Sequence, residues 1–176
     1  MGYFVVALCL LTKCEDKIYN TGMERKILRV YVDSSVISGM FDENDHPERA
    51  KPFWNAVKNG KVRVVLSDVL VGEVERAPQH IREFYRTIPE SQIERILSTE
   101  DSNALAGQYI AAGIVNENSL NDSRHIALAS FARVDVLVSF NCTHIVNFNR
   151  IRKYNAINAL HGYPQIEIRT PDEVIQ

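Results

Sequence analysis

Short apolar runs recur along the chain, and between them apolar residues return at three- and four-residue intervals. Residues 27–32 are apolar or β-branched at most positions and predict a buried strand. Asp33-Ser34-Ser35 follows; both residue types accept hydrogen bonds from free backbone N–H groups, so a short capped helical turn is expected there. Gly39 and the acidic run Asp42-Glu43-Asn44-Asp45 mark a loop. Pro47 suits the first turn of a helix carrying Ala50, Phe53, Trp54 and Val57, and Asn59-Gly60 stops it. Residues 62–66 predict a second strand, after which Ser67 caps a helix bearing Val69, Leu70, Glu73 and Val74. Pro78 breaks that helix and a further one covers 79–87. Residues 93–97 predict a short strand leading to a helix near 100–112. A loop over 113–120 precedes a helix over 122–133, a strand over 134–139, a helix over 149–161 and a last strand over 165–169.

Strands alternating with helices predict an α/β domain, three-layer α/β/α, with a mostly parallel central sheet. In such sheets ligands gather beyond the carboxyl ends of the strands. Asp33 and Asn141 fall at two of those ends, Asp122 opens a helix, and Glu73 lies about two turns into another. Four separated segments can thus converge on one pocket.

A chain of 176 residues fits one domain, and 45% apolar with 24% charged residues is an ordinary globular composition. The net charge of −2 gives no global footprint for nucleic acid but leaves room for a local basic rim. Cys9, Cys14 and Cys142 are irregularly spaced, which argues against a disulfide framework and for a reducing cytoplasm. Cys142 is expected to be a small apolar filler. Residues 3–11 are apolar but too few to span a bilayer, which takes about 20, and they lack the pattern of a secretory signal. Residues 1–22 are therefore expected to be an extension from an upstream start-site assignment, with translation beginning at Met23 and one domain over 23–176. A short membrane-associated or partner-binding arm is the rival reading.

The acids carry the chemistry. Carboxylates at the mouths of buried strands and helices are costly unless paired, and a hard divalent cation such as Mg²⁺ or Mn²⁺ takes oxygen ligands. Asp33, Glu73 and Asp122 are the candidate metal ligands and catalytic acids, with Asn141 a neutral fourth member. Each also has a plain structural reading: Asp33 and Asp122 as helix caps, Glu73 as a solvent-facing helix former. Ser34, Ser35 and Ser139 could orient carboxylates or touch phosphate, or satisfy local backbone groups. His125, one turn beyond Asp122, could meet substrate or metal, though a satisfied core histidine is the commoner outcome. Arg150 and Arg152 sit in a basic cluster that could line an RNA path or simply face solvent. No G-x-G-x-x-G, P-loop, G-x-S-x-G or zinc spacing is present.

The segments Val32-Asp33-Ser34-Ser35-Val36, Glu73, Asn121-Asp122-x-x-His125-Ile126-Ala127 and Leu137-Val138-Ser139-Phe140-Asn141 together resemble the PIN domain, from about Leu28 to the C-terminus. The likeness is to small prokaryotic members of the VapC-like toxin type. Val138-Ser139-Phe140-Asn141-x-x-His144-Ile145-Val146-Asn147 resembles a subgroup with a V-S-W-N-x-x-H-I-V-N segment. The resemblance implies a ribonuclease using magnesium or manganese, often paired with an antitoxin and often dimeric. Many members have a fourth acid where this chain has Asn141. The expectation is therefore a cytoplasmic metal-dependent endoribonuclease, the toxin of a type II pair, with RNA, an antitoxin and a second copy of the chain as partners and no membrane. The alternatives are an RNA-binding or regulatory module with little catalysis, and a DNA-directed nuclease.

Overall fold

The computed structural model describes residues 26–175, so the expectations placed on residues 1–22 lie outside them. Among the described residues five strands form one sheet in the order β3-β2-β1-β4-β5. β1 (Leu28–Val32) is central; β2 (Val62–Ser67) and β4 (Val136–Val138) flank it, with β3 (Ile93–Ile96) and β5 (Ile168–Arg169) at the edges. Every pairing is parallel, with Val30 opposite both Val64 and Val136.

Because side chains alternate along a strand, each apolar run feeds two cores. Val30, Val32, Val64, Leu66, Val136 and Val138 face one way. They meet α1 (Ser34–Ser38), α2 (His46–Lys58), α3 (Asp68–Arg76), α4 (Gln79–Arg86) and, through the half-buried Val174, α8 (Pro171–Val174). Tyr31, Val65 and Leu137 face the other way, against α5 (Glu100–Ala111), α6 (Leu120–Phe131) and α7 (Phe148–Leu160). This is the three-layer α/β/α arrangement. Sheets buried on both faces need strands without polar alternation, which is how residues 62–66 and 134–138 read.

The chain runs β1, β2, β3 outward on one side, then crosses to β4 and β5 on the other. Its switch point lies between β1 and β4, where ligand crevices open in doubly wound sheets. Asp33 follows β1 and Ser139 follows β4, so both stand at that crevice.

Several expectations shift. The helix carrying Asp122 starts at Leu120 behind a 3-10 turn over Glu117–Ser119, so Asp122 lies in the first turn rather than at the cap. Two strands shorten: only Val136–Val138 and Ile168–Arg169 keep ladder partners. The four-residue α8 was not foreseen; its capping box joins Thr170 and Glu173. Cys142 is exposed, not a filler, because it sits on the loop beyond β4. Among the described residues no helix is long and apolar enough to cross a membrane.

Candidate active site

Asp33 ends β1 and caps α1: its Oδ1 accepts from the Ser35 backbone N–H at 3.1 Å and from Ser35 Oγ at 2.6 Å. Its Oδ2 accepts from Ser139 Oγ at 2.7 Å. The cap reading and the site reading therefore describe the same carboxylate. Asp33 is 4% exposed, and burial pushes its pKa above the ordinary value. His125 and the two serine hydroxyls pull the other way, and the Glu73 charge adds to the rise.

Glu73 reaches the crevice from α3, whose N-terminus is capped by Ser67 Oγ accepting from the Leu70 N–H at 3.2 Å. Asn121 Nδ2 donates to Glu73 Oε1 at 2.8 Å, and His125 Nε2 meets Oε2 at 3.1 Å. Burial would raise the Glu73 pKa, but these donors, with Ser34 beside them, hold it down to about 2.

His125 is 2% exposed, so it does not face a substrate. A carboxylate only accepts, which puts the imidazole proton on Nε2 and leaves Nδ1 to accept in the neutral ring. Nδ1 lies 2.7 Å from the Tyr31 hydroxyl, itself 2.7 Å from Ser67 Oγ. A directed chain results, from the Leu70 N–H through Ser67, Tyr31 and His125 to Glu73. Every buried polar atom in it is satisfied, as burial requires. His125 is thus placed as the commoner core-histidine reading has it, buried with both ring nitrogens partnered, and one of those partners is Glu73.

Asp122 projects from the first turn of α6. Asn141 Nδ2 donates to its Oδ1 at 3.0 Å, and His144 Nδ1 to its Oδ2 at 2.9 Å. Asn141 Oδ1 accepts from the His144 N–H at 3.0 Å, so its amide nitrogen, not its oxygen, is turned to the acid. Ser139 Oγ also accepts from the Asn141 N–H at 2.9 Å, linking the Asp33 and Asp122 networks. Sequence reasoning gave His144 and Asn121 no role. Both lie within the motif segments, but nothing in a linear pattern marks a side chain as the donor to a particular carboxylate.

Among the described residues no Lys or Arg lies within 4.0 Å of the Asp33, Glu73 or Asp122 carboxylates. Among the described residues the basic side chains in reach of them are the imidazoles of His125, on Glu73, and His144, on Asp122. Three acids without fixed positive charge suit a hard cation by donor chemistry. Yet no three His, Cys, Asp or Glu side chains among the described residues come close enough to share one ion. Of the remaining candidates, Arg150 is half-buried with one buried guanidinium nitrogen, Nη1, lacking a partner among the described residues. Arg152 is exposed, 5.8 Å over the Phe148 ring.

Known proteins resemble both the sequence and the fold. The PIN domain description matches residues 30–153. No curated protein matches significantly. Among solved structures, Mycobacterium tuberculosis VapC20, described as a sarcin-ricin-loop-cleaving toxin, superposes with TM-score 0.51 at 15% identity, over 65% of this chain and 92% of its own. Rickettsia felis VapBC2, solved bound to a DNA fragment from its promoter, superposes with TM-score 0.52 at 14% identity, over 81% of this chain and 98% of that one. At such identities the likeness is one of fold. With the family's description spanning well over half of the chain, the protein belongs to the PIN domain family.

Proposed function

We propose that the protein is a metal-dependent endoribonuclease that hydrolyses RNA phosphodiester bonds, the toxin of a type II toxin–antitoxin pair. The observation that supports this reading is that Asp33, Glu73 and Asp122, from three separated segments, lie on neighbouring hydrogen-bond networks around the crevice where the sheet switches direction, Ser139 and Asn141 bridging Asp33 to Asp122 and Asn121 donating to Glu73, without a lysine or arginine partner among the described residues. The family and the toxin-like fold support it. A cognate antitoxin and a second copy of the chain are the partners that this reading adds, and the cytoplasm is its compartment.

Asp33, Glu73 and Asp122 would hold Mg²⁺ or Mn²⁺. When bound there, such an ion lowers the pKa of a water and stabilises charge developing on phosphate and leaving oxygen. The chain's own residues orient the donors. Ser35 and Ser139 aim Asp33, His125 and Asn121 aim Glu73, and His144 and Asn141 aim Asp122. Each carboxylate oxygen accepts from few protein donors, so lone pairs remain that could ligate an ion.

A second reading is a PIN-fold RNA-binding or regulatory module with little catalysis. Two observations favour it: an amide nitrogen of Asn141 faces Asp122, and no three groups are gathered for one ion among the described residues. Cleavage of mixed single-stranded RNA, beside the same sequence as DNA, separates these readings. It is assayed with Mg²⁺, with Mn²⁺ and with EDTA, using wild type and Asp33→Ala. RNA cutting that needs metal and vanishes in the variant is expected. Folded, metal-exposed wild type that binds RNA without cutting it would favour the module, and preferential cutting of the DNA would favour a DNA-directed nuclease.

A further inference from the structure

We propose that the cleft between α3, α5 and α6 binds a nucleotide of single-stranded RNA next to the scissile one. Arg76 and Arg124 take its phosphate, and Asn103 and Asn121 take polar edges of its base or sugar. The choice of RNA rests on the nuclease reading; the cleft itself rests on its own geometry. The cavity is about 290 Å³, at the small end of ligand sites. Arg76 and Arg124 line it from α3 and α6, and neither has a carboxylate within 4.0 Å among the described residues. Arg76 Nη2 lies over the bare Gly72, 3.7 Å from where a Cβ would stand. Two uncommitted guanidinium forks in one concavity match the planar, bidentate demands of a phosphate.

Position ties this cleft to the acids. Arg76 stands one helical turn beyond Glu73 on α3, and Arg124 one turn beyond Asn121 on α6. Asn121 is a shared wall: it lines the cleft and also donates to Glu73 Oε1 at 2.8 Å. A strand with one phosphate at the acids would thus lead its neighbour over Asn121 into the cleft. Asp68 also lines the cavity, but its Oδ1 is committed to the Ser98 backbone N–H at 3.0 Å and to Ser98 Oγ at 2.9 Å. The arginines outnumber it, and the two amides can each donate and accept, as base edges require. Sequence reading looked for the RNA path at Arg150 and Arg152. It passed over Arg76 and Arg124, which are ordinary helix residues until the fold sets α3 beside α6.

The test is fluorescence anisotropy of a labelled, mixed-sequence single-stranded RNA with the full chain in EDTA, where nothing turns over, across a series of salt concentrations. Arg76→Ala and Arg124→Ala are each expected to weaken binding about tenfold and to flatten the log–log salt slope by about 0.7 per lost phosphate contact. Arg76→Lys and Arg124→Lys should keep most of the slope, and Arg86→Ala, on the exposed end of α4, should match wild type. Wild-type affinity and slope in the double alanine variant overturn the proposal, as does wild type that fails to bind RNA. If poly-glutamate, not RNA, binds through the two arginines, the cleft belongs to an acidic protein segment and the proposal also falls. Wild type that binds RNA through these arginines yet cuts nothing in Mg²⁺ or Mn²⁺ supports the cleft while sinking the nuclease reading. Cleavage with an unchanged KM in the double variant sinks the cleft alone.

Discussion

Two carboxylates of the candidate site are biased in opposite directions, and the contrast can be measured. Asp33 is buried with its pKa raised, so its contribution to stability is full below its ordinary value and is lost as pH rises through the raised one. At neutral pH without metal, Asp33→Asn should therefore hold or raise the melting temperature, by about 2–4 °C for each kcal/mol relieved. The same change should cut metal-dependent RNA cleavage at least about 100-fold, more than loss of a supporting residue costs. Retained cleavage with lost stability would reduce Asp33 to a cap. Glu73 is the reverse case, held down to about 2 from 4.5. Its stabilisation is present above the ordinary value and drains away as pH falls toward 2. Metal-free wild type should lose melting temperature over that window more steeply than Glu73→Gln; parallel curves would mean that the His125 and Asn121 contacts hold no net energy.

At the scale of elements, the segment after β4 does the joining. Ser139, Phe140 and Asn141 bind Asp33, Ser35 and Asp122 in turn: the Phe140 N–H donates to Ser35 Oγ at 2.8 Å, and the Phe140 ring stacks on His46 at 4.2 Å between centroids. Gly39, at the end of α1, makes room for that ring. A Cβ there would stand 2.8 Å from Phe140 Cδ2, although the Gly39 backbone is right-handed helical and would accept alanine. Gly39→Ala should thus cost about 1–3 kcal/mol by overpacking. It should also lower cleavage by shifting Phe140 and with it both carboxylate networks. Thermal melting beside single-turnover cleavage checks this; an unaffected melt would mean that α2 and the loop yield freely.

For the whole molecule, the consequence is linkage. Three acids without fixed counter-charge should favour the folded state when a cation joins them, because only the native fold brings the segments together. Mg²⁺ or Mn²⁺ at about 100 times its Kd should add roughly 2.7 kcal/mol, seen as a rise of several degrees in melting temperature that EDTA reverses. Asp33→Asn and Asp122→Asn should each erase most of that rise. A rise that persists in both would place the ion elsewhere. This readout does not depend on finding the right RNA, which matters if the protein selects its target narrowly.

Residues 62–66 and 134–138 determined their own place largely by themselves: apart from Arg63 and Asp135 they are apolar and mostly β-branched, with apolar side chains falling on both faces of a strand, so they imply a parallel sheet between helical layers. Ser67 and Asp33 likewise announced helix starts, because capping is a local contest between one side chain and the next few N–H groups. Motif order pointed to Asp33, Glu73 and Asp122 as candidates, but not to their partners. Whether the Asn141 amide turns its nitrogen or its oxygen to Asp122 depends on the His144 N–H on the other side. His125 became a holder of Glu73 only because Tyr31, 94 residues away in sequence, closes its other nitrogen in the core. Arg76 and Arg124 face one cavity only once α3 packs against α6. Periodicity and caps act over a few residues and are written in the chain. Hydrogen-bond direction and charge proximity join residues that only the packed layers bring together, so tertiary structure alone decided them.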